Sequence, residues 1–336
     1  MVNNVFILSM GRSGTTLLQN ILDAHPTIVS PPESFFMLHL YTKYKNKKEW
    51  SEKDIAQFID DLYTDRPFRL VWKIERMEVE AAFEAAGKIT SFADACNAVR
   101  TSFHQAYKND QLEILGDKKP SYTRFTKRIM RVHPNAKVIH MIRDPRGTAN
   151  GHINTFKRSD VLAVGILWNY SNLRVKRLSV KYPDQYCLLK YEDLVNDPDK
   201  TIRELCTFLN IDFSDEMLAY RERVVERFEG YTEHFKDKHR SLLKPIDPSI
   251  AEKWKTSMTP HQIRQIEYTT HRVANQFGYF FDHQKPTFGM LVKKPFSYLK
   301  LMLAFSVVKI YFAVPFAVRK WVLKKRSERG DHKFQT

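Results

Sequence analysis

The first two-thirds of the chain alternates between short apolar runs and segments with helical spacing of apolar residues. Residues 5–9 form an apolar run typical of a strand, and residues 16–24 place apolar side chains three and four positions apart, which is typical of a helix. This helix is predicted to end at His25-Pro26, because proline cannot continue it. A strand, a glycine-rich turn and a helix therefore open the chain.

The same alternation continues along the chain. Strands are predicted at residues 27–30, 113–115, 137–142 and 185–190, and helices at residues 123–132 and 161–180. Strands that alternate with helices predict an α/β protein with a P-loop-like, three-layer fold, in which a central parallel sheet carries helices on both faces. The charged region from about residue 35 to 115 is predicted to be a helical insert.

A change in composition after residue 285 divides the chain into a domain, residues 1–285, and a helical C-terminal tail, residues 286–336. From residue 285 onward twelve Lys and Arg oppose two acids, so +10 of the formal net charge of +16 lies there. The remaining +6 is modest. It favours a domain that binds a small polyanion over one that binds nucleic acid.

Cysteine usage indicates a reducing compartment. Cys96, Cys187 and Cys206 are odd in number and lack the spacing of metal ligands, which argues against a disulfide framework and against a zinc site. The apolar run near residue 5 is too short for a secretory signal. A cytoplasmic location is therefore expected.

A glycine-rich turn separates the first predicted strand from the first helix. Backbone N–H groups in such a turn converge on one point and the helix N-terminus adds partial positive charge, so the turn favours a phosphate group. It differs from a nucleoside-triphosphate P-loop because no lysine precedes Thr16. A glycine turn without a ligand is the alternative. The turn consists of Gly11, Arg12, Ser13, Gly14, Thr15 and Thr16.

A second cationic element, Arg143-Asp144-Pro145-Arg146, follows the predicted strand at residues 137–142. Open α/β sheets bind ligands at the carboxyl ends of their strands, and arginine can donate two hydrogen bonds to one phosphate. The element therefore predicts a second phosphate contact. Taken alone, the same tetrapeptide also suits a loop held by salt bridges.

The order and spacing of these motifs resemble the sulfotransferase family that uses 3′-phosphoadenosine 5′-phosphosulfate (PAPS). Residues 11–18 look like the family's 5′-phosphosulfate loop, and residues 142–146 look like its 3′-phosphate strand end. Residues 22–26 followed by Glu33 resemble the tyrosylprotein-sulfotransferase branch and its bacterial relatives. The resemblance spans about residues 4 to 275, and its further segments are residues 116–120, 191–205, 244–245 and 253–254.

The resemblance implies metal-independent transfer of a sulfuryl group from PAPS to an acceptor hydroxyl or amine. It implies that Glu33 is the general base and that Arg12 and Lys118 stabilise the transferring group. Position 151 departs from the family, which usually has serine there, so one hydroxyl contact to the 3′-phosphate is expected to be missing, with Thr148, Asn150 or a backbone N–H as the alternative contact. The nucleotide-binding residues implied are the six residues of the turn with Arg143, Gly151, Tyr191 and Lys253.

No motif identifies the acceptor, and the oligomeric state is left open as well. The basic, apolar tail favours a hydroxylated lipid, a sterol or another amphiphile, with a carbohydrate or a peptide tyrosine as the alternative. A P-loop kinase is a rival interpretation that requires the lysine absent before Thr16. A non-catalytic binder of anionic surfaces is a second rival, motivated by the net charge.

The C-terminal tail is predicted to hold the protein at the inner face of a membrane. Apolar residues dominate it, yet Lys300 and Lys309 interrupt them, which disfavours a simple spanning helix of ~20 apolar residues. Pro315 is predicted to bend the helix. Packing on the protein's own domain or on a second subunit is the alternative. Basic residues that suit anionic headgroups stand at 293–294, 319–320 and 324–326.

Overall fold

The computed structural model describes residues 2–107, 111–156, 160–229, 240–281 and 285–322. Its centre is a five-stranded sheet in the order β2-β3-β1-β4-β5, and all neighbouring strands are parallel. The predicted α/β fold with a parallel sheet is confirmed. The strands are β1 (Asn3–Leu8), β2 (Ile28–Val29), β3 (Ile114–Lys118), β4 (Lys137–Ile142) and β5 (Tyr186–Lys190).

Helices connect the strands and cover the sheet, and a further helix occupies residues 316–322. In chain order they are α1 (Thr15–Ala24), α2 (Phe36–Tyr44), α3 (Glu52–Leu62), α4 (Arg76–Ala86), α5 (Phe92–Tyr107), α6 (Thr126–Val132), α7 (Pro145–Phe156), α8 (Val161–Lys181), α9 (Tyr191–Asn196), α10 (Pro198–Leu209), α11 (Arg221–Glu229), α12 (Ser249–Glu252), α13 (Trp254–Ser257), α14 (Pro260–Ala274) and α15 (Phe288–Ala313).

Alternate residues of the central strand β1 face two different apolar layers. Val5 and Ile7 belong to a buried cluster with α1, α9 and α10, whereas Phe6 and Leu8 belong to a cluster with the insert helices α2 to α5. Successive side chains of a strand point to opposite faces, so a central strand that is apolar throughout needs cover on both. The three layers follow from this pattern.

Strand β3 continues three residues beyond its predicted end at residue 115. Gly116 and Lys118 pair with Val5 and Ile7 of β1. Asp117 between them is buried and accepts a 2.7 Å hydrogen bond from the Tyr122 hydroxyl. The predicted strand end was wrong because pairing with a central strand outweighs the low strand propensity of glycine, aspartate and lysine.

The insert consists of α2 to α5 with a π-helical turn at Phe68–Trp72. Aromatic side chains hold it together: the Trp72 ring lies 5.9 Å from Phe36 and 5.4 Å from Phe103 between ring centres. These contacts join the start, the middle and the end of the insert. The insert therefore packs as one unit beside the loop that follows β2.

The C-terminal helix α15 lies against the domain. Phe312 belongs to the same buried cluster as the insert helices, and so does Phe316 in the helix at 316–322. By length and composition alone, α15 could also cross a membrane. The helix ends at Ala313, so Pro315 separates two helices instead of bending one. The predicted basic cluster at 324–326 lies outside the described residues.

Candidate active site

The carboxyl ends of all five strands lead to residues singled out in the sequence. In the order of the sheet these are Glu33 after β2, Lys118 at the end of β3, the glycine-rich turn after β1, Arg143 after β4 and Tyr191 after β5. Parallel strands end at one edge of a sheet, which is where such folds bind ligands. The edge therefore runs from the predicted base to the predicted nucleotide contacts.

The glycine-rich turn contains two left-handed backbone conformations. Arg12 has a φ of 71° and Gly14 a φ of 86°, directly before α1 begins at Thr15. A Cβ atom on Gly14 would lie 2.3 Å from the Tyr191 ring, so only glycine fits this contact. The first N–H groups of α1 have no partners within the helix, so this end of α1 favours an anion.

Two further residues of the turn, Gly11 and Ser13, contact the body of the protein. The Gly11 carbonyl accepts a hydrogen bond from His152 Nε2 of α7 at 3.0 Å. Ser13 is buried. Both therefore support the shape of the turn, while Gly14, Thr15 and Thr16 line the cleft in front of it.

A cationic cleft lies in front of the turn. Three cations and one carboxylate line it, so it favours an anionic ligand. Six of the residues predicted from the sequence meet here, namely Arg12, Gly14, Thr15, Thr16, Arg143 and Tyr191. The remaining lining residues are Leu17, Val195, Tyr220, Leu242, Lys244, Pro245, Ile246, Asp247 and Ile250.

Arg143 is oriented in the cleft by backbone carbonyls and an aromatic ring. Its guanidinium donates to the Ile250 carbonyl at 2.7 Å and to the Arg12 carbonyl at 3.4 Å, and lies 4.2 Å from the Tyr191 ring centre. Burial raises the pKa of the Tyr191 hydroxyl, although Arg143 opposes the shift. Burial and then the charge of Arg143 lower the pKa of Arg12. Two guanidinium groups thus converge beside the turn.

Gly151 supports the turn from α7 and does not line the cleft. A Cβ atom at this position would lie 2.9 Å from the Cβ atom of Arg12, so a serine here would displace Arg12. Gly151 therefore allows α7 to pack closely against the turn. The family resemblance indicated the departure at this position, and the fold shows the steric limit on a side chain there.

Lys118 connects the turn with the predicted base. Its side chain is only 2% exposed, and its Nζ donates to Glu33 Oε1 at 2.6 Å and to Thr16 Oγ1 at 3.1 Å. Lys119 Nζ lies 3.6 Å from Glu33 Oε2 and 3.3 Å from the ring centre of Phe35. Burial lowers the pKa of Lys119, while Glu33 opposes the shift. Two buried ammonium groups therefore surround the Glu33 carboxylate.

The loop that carries Glu33 is fastened by side chains that the sequence interpretation missed. Asp65 Oδ2 accepts the Phe35 N–H at 2.8 Å, and Trp72 Nε1 donates to the Pro32 carbonyl at 2.8 Å. Gln19 of α1 donates to the Ser30 carbonyl at 3.2 Å. Asp65 and Trp72 belong to the insert and lie more than thirty residues beyond Glu33 in the chain. No local sequence pattern therefore predicts these contacts.

The segment after residue 240 contributes one lysine to the cleft and another beside it. Lys244 lines the cleft itself, whereas Lys253 lines an adjoining recess that Lys244 also borders. The structure therefore does not bring Lys253 together with the turn. Within the described ranges, no group of three or more His, Cys, Asp or Glu side chains is arranged to hold a metal ion.

Known proteins share this combination of fold and motifs. The model of the family described as "Sulfotransferase family" matches residues 4–215. The chain belongs to the sulfotransferase family. It is therefore an enzyme that transfers sulfuryl groups, in a family whose members generally take PAPS as donor.

Individual relatives are distant from this sulfotransferase. A putative protein-tyrosine sulfotransferase of Caenorhabditis briggsae is 22% identical over 87% of this chain and 94% of its own length. The sulfotransferase domain from the Synechococcus PCC 7002 olefin synthase shares 24% identity, with a TM-score of 0.58 over 84% of this chain and 96% of that domain. The domain from the curacin biosynthetic pathway has a TM-score of 0.53 at 22% identity, covering 84% of this chain and 99% of its own. These structures share the fold.

Proposed function

We propose that the protein transfers the sulfuryl group of PAPS to an acceptor hydroxyl, with Glu33 as general base and with Arg12 and Lys118 stabilising the transferring group. The observation that carries this proposal is the position of the Lys118 ammonium group, 2.6 Å from Glu33 and 3.1 Å from Thr16. It joins the base to the anion-binding turn. Negative charge that develops between them lies within its reach.

The cleft suits a nucleotide that is anionic at both ends. The turn from Gly11 to Thr16 and the N-terminus of α1 favour the 5′-phosphosulfate. Arg143 and Lys244 favour the 3′-phosphate beside Tyr191. The Nε atom of Arg143 is buried against α7 and makes no hydrogen bond within the described part of the chain. The proposal retains Lys253 as a contact from the adjoining recess, and Gly151 as the support of Arg12.

The chemistry asked of the protein is positioning and proton transfer. Bound PAPS supplies the sulfuryl group, adenosine 3′,5′-bisphosphate is released, and the proton of the acceptor hydroxyl passes to Glu33. The loop of Glu33 is fastened at both ends, which positions its carboxylate before the acceptor binds. Arg12 and Lys118 supply the positive charge in this scheme, so we expect turnover without a metal.

We propose that the acceptor is an amphiphile such as a hydroxylated lipid or a sterol. Phe35, two residues beyond Glu33, stacks on His39 at 5.5 Å, and His39 contacts Tyr311 at 5.9 Å and Phe312 at 5.7 Å. An aromatic wall thus leads from the base to α15. Burial, and then the charges of Arg319 and Lys119, lower the pKa of His39 to about 3, which keeps its imidazole uncharged at neutral pH. A carbohydrate or a peptide tyrosine is the alternative acceptor.

We also propose that the protein works at the cytoplasmic face of a membrane, with α15 as the contact. The helix carries exposed apolar residues and lysines, and its end forms part of the same aromatic wall. An acceptor dissolved in the bilayer would then be close to the base. This location supports an amphiphilic acceptor over a soluble one.

A transfer assay with sulfur-labelled PAPS tests the chemistry. Pools of lipids, sterols, phenols, glycans and peptides serve as acceptors, with products read by mass spectrometry. Glu33→Gln should lower turnover by roughly 10²-fold while leaving the affinity for adenosine 3′,5′-bisphosphate unchanged, because the lost group is a proton acceptor. Glu49→Gln, at an exposed position of the insert, is the matched control.

Two results would contradict this proposal. Turnover of Glu33→Gln at the parent's rate would exclude Glu33 as the base. Phosphoryl transfer from ATP, with no transfer from PAPS to any pool, would favour the kinase interpretation instead.

A further inference from the structure

Helix α15 has two apolar faces, and only one of them packs on the domain. On the inner face, Phe305 lies 4.6 Å from Tyr170 of α8 between ring centres, and the Ser297 hydroxyl donates to Asp160 at 3.0 Å. Phe312 is buried in the cluster shared with the insert. The inner face therefore accounts for the contacts between α15 and the domain.

The opposite face carries a row of exposed apolar side chains, here called the outer stripe. Its residues recur three or four positions apart, so at about 100° per residue they lie within an arc of about 80°. Each is between 46% and 68% exposed. Soluble surfaces rarely leave a contiguous apolar patch of this kind uncovered. The outer stripe consists of Val292, Phe296, Leu299, Leu303, Val307 and Ile310.

Exposed lysines flank the outer stripe, closely on one side and at a distance on the other. At about 100° per residue, Lys300 and Lys293 lie about 20° and 40° beyond one edge, whereas Lys309 lies about 80° beyond the other. Residues 285–322 contain no Asp or Glu. The surface is therefore apolar along its middle and cationic beside one edge, without a neutralising acid in the same segment.

We propose that the outer stripe is a docking surface for an anionic lipid bilayer, on which α15 lies flat at the interface. The apolar side chains enter the boundary of the acyl region, and the lysine stems extend outward to the headgroup phosphates. This arrangement sharpens the proposed membrane location. It is independent of the proposed sulfuryl transfer, because it uses no residue of the cleft.

Contacts of the helix at 316–322, which follows α15, disfavour a spanning orientation. Lys320, just beyond α15, donates to the buried Asp61 at 2.7 Å, and the neighbouring Arg319 is 1% exposed. A spanning helix would have to leave these contacts and place Lys300 and Lys309 in hydrocarbon, which is costly. When α15 lies flat at the interface, its inner face keeps its contacts with the domain while the outer stripe contacts the lipid.

The charges also disfavour a second copy of the chain as the occupant. A symmetric pair would bring the same surface together from both subunits, so the bordering lysines of one copy would approach those of the other. Anionic headgroups, in contrast, neutralise them. The charge pattern is therefore more complementary to an anionic lipid surface than to a second copy of the chain.

Flotation of the full-length protein with vesicles of phosphatidylglycerol and phosphatidylcholine tests this surface. The parent should float with these vesicles, and less so at high salt or with phosphatidylcholine alone. Leu299→Glu with Leu303→Glu should weaken binding at least ~10-fold, because two inserted side chains become anionic. Met77→Glu with Val180→Glu, which are 76% and 85% exposed on other helices, is the matched control and should bind like the parent.

Replacing the lysines beside the outer stripe with glutamine tests the electrostatic contribution to vesicle binding. Each lysine near an anionic surface contributes about 1 kcal/mol, so losing three should weaken binding about 100-fold. The variant is Lys293→Gln, Lys300→Gln and Lys309→Gln, and its control of equal charge is Lys48→Gln, Lys88→Gln and Lys200→Gln, all at exposed positions.

Three outcomes would overturn the proposal. The first is equal flotation of parent and outer-stripe variant, including no flotation of either. The second is resistance of the parent to alkaline carbonate extraction, which would show a spanning helix. The third is a dimer that the outer-stripe variant loses, without vesicle binding, which would assign the surface to a second copy. Retained binding of adenosine 3′,5′-bisphosphate by each variant separates failure of docking from failure of the proposed chemistry.

Discussion

The two ends of the active-site edge are built in different ways. At the proposed nucleotide end, Arg143 and Tyr191 follow directly on β4 and β5, and the turn begins three residues after the end of β1, so the sheet itself places them. At the proposed acceptor end, Glu33 lies on a loop that Asp65 and Trp72 of the insert hold by hydrogen bonds. Short segments of sequence therefore encode the nucleotide end, whereas distant contacts assemble the acceptor end.

The turn proposed to bind the nucleotide tolerates little change, since Gly14 within it and Gly151 of α7 beside it are both limited by neighbouring atoms less than 3 Å from an added Cβ. The insert and the end of α15 share one buried cluster with a face of the sheet. Lys118 is the link, because it contacts groups from both ends.

Substitution of Lys118, which links the two ends, should have the largest effect on turnover. Lys118→Met keeps the apolar stem but removes the charge, and should lower turnover by roughly 10²- to 10³-fold, as expected for losing a transition-state donor. Lys119→Met is the matched control, since its ammonium group lies farther from Glu33, and should lower turnover only a few-fold. Steady-state kinetics with PAPS would measure both. A smaller loss in Lys118→Met than in Lys119→Met would contradict the proposed link.

Substitution at the nucleotide end should have an intermediate effect that concerns binding. Arg143→Ala should weaken the binding of adenosine 3′,5′-bisphosphate by about 2 kcal/mol, which is the scale of a charge-assisted hydrogen bond. A nucleotide without the 3′-phosphate should be affected much less. Calorimetry would measure both ligands, with Arg203→Ala as an exposed control on α10. Equal losses for the two nucleotides would refute the assignment of Arg143 to the 3′-phosphate.

Substitution in the insert should have the smallest effect on turnover and a distinct effect on stability. Burial raises the pKa of Asp65 to about 6, above its ordinary value of 3.8. The folded protein therefore binds more protons than the unfolded chain between these values, and this contribution to stability is lost as pH rises through about 6. Asp65→Asn should remove this fall in the free energy of unfolding, which amounts to roughly 1–3 kcal/mol across the same pH range. It should also lower turnover a few-fold.

Urea unfolding between about pH 4 and pH 7 would measure this change, with the exposed Asp199→Asn as control. A parent whose free energy of unfolding rises steadily across this range, with Asp65→Asn following the same curve, would contradict the shift. Unchanged turnover in Asp65→Asn would show that the loop of Glu33 is held adequately by Trp72 and Gln19 alone.

Particular residues show how far prediction from sequence reached. The turn and Arg143 were recognised because a strand end followed by glycine or arginine is a local pattern. Tyr191 was expected only from the family resemblance, and the cleft brings it together with Arg143 and part of the turn. The end of β3 was misjudged because Gly116 and Asp117 resemble a loop until β1 pairs with them. Gly151 was identified only as a missing hydroxyl, since its contact with Arg12 joins residues far apart in the chain.

Apolar periodicity predicted the parallel α/β fold and the glycine-rich turn predicted an anion site, because both act through neighbouring residues. Membership in the sulfotransferase family was expected from the order and spacing of motifs that resemble those of the family, and the family model confirms it. Tertiary structure decided that Lys118 contacts Glu33 and Thr16, that Asp65 and Trp72 hold the loop of the base, and that α15 buries one apolar face while exposing the other. These features depend on side chains that meet only after folding. An apolar pattern records that a residue avoids water, but not which surface covers it.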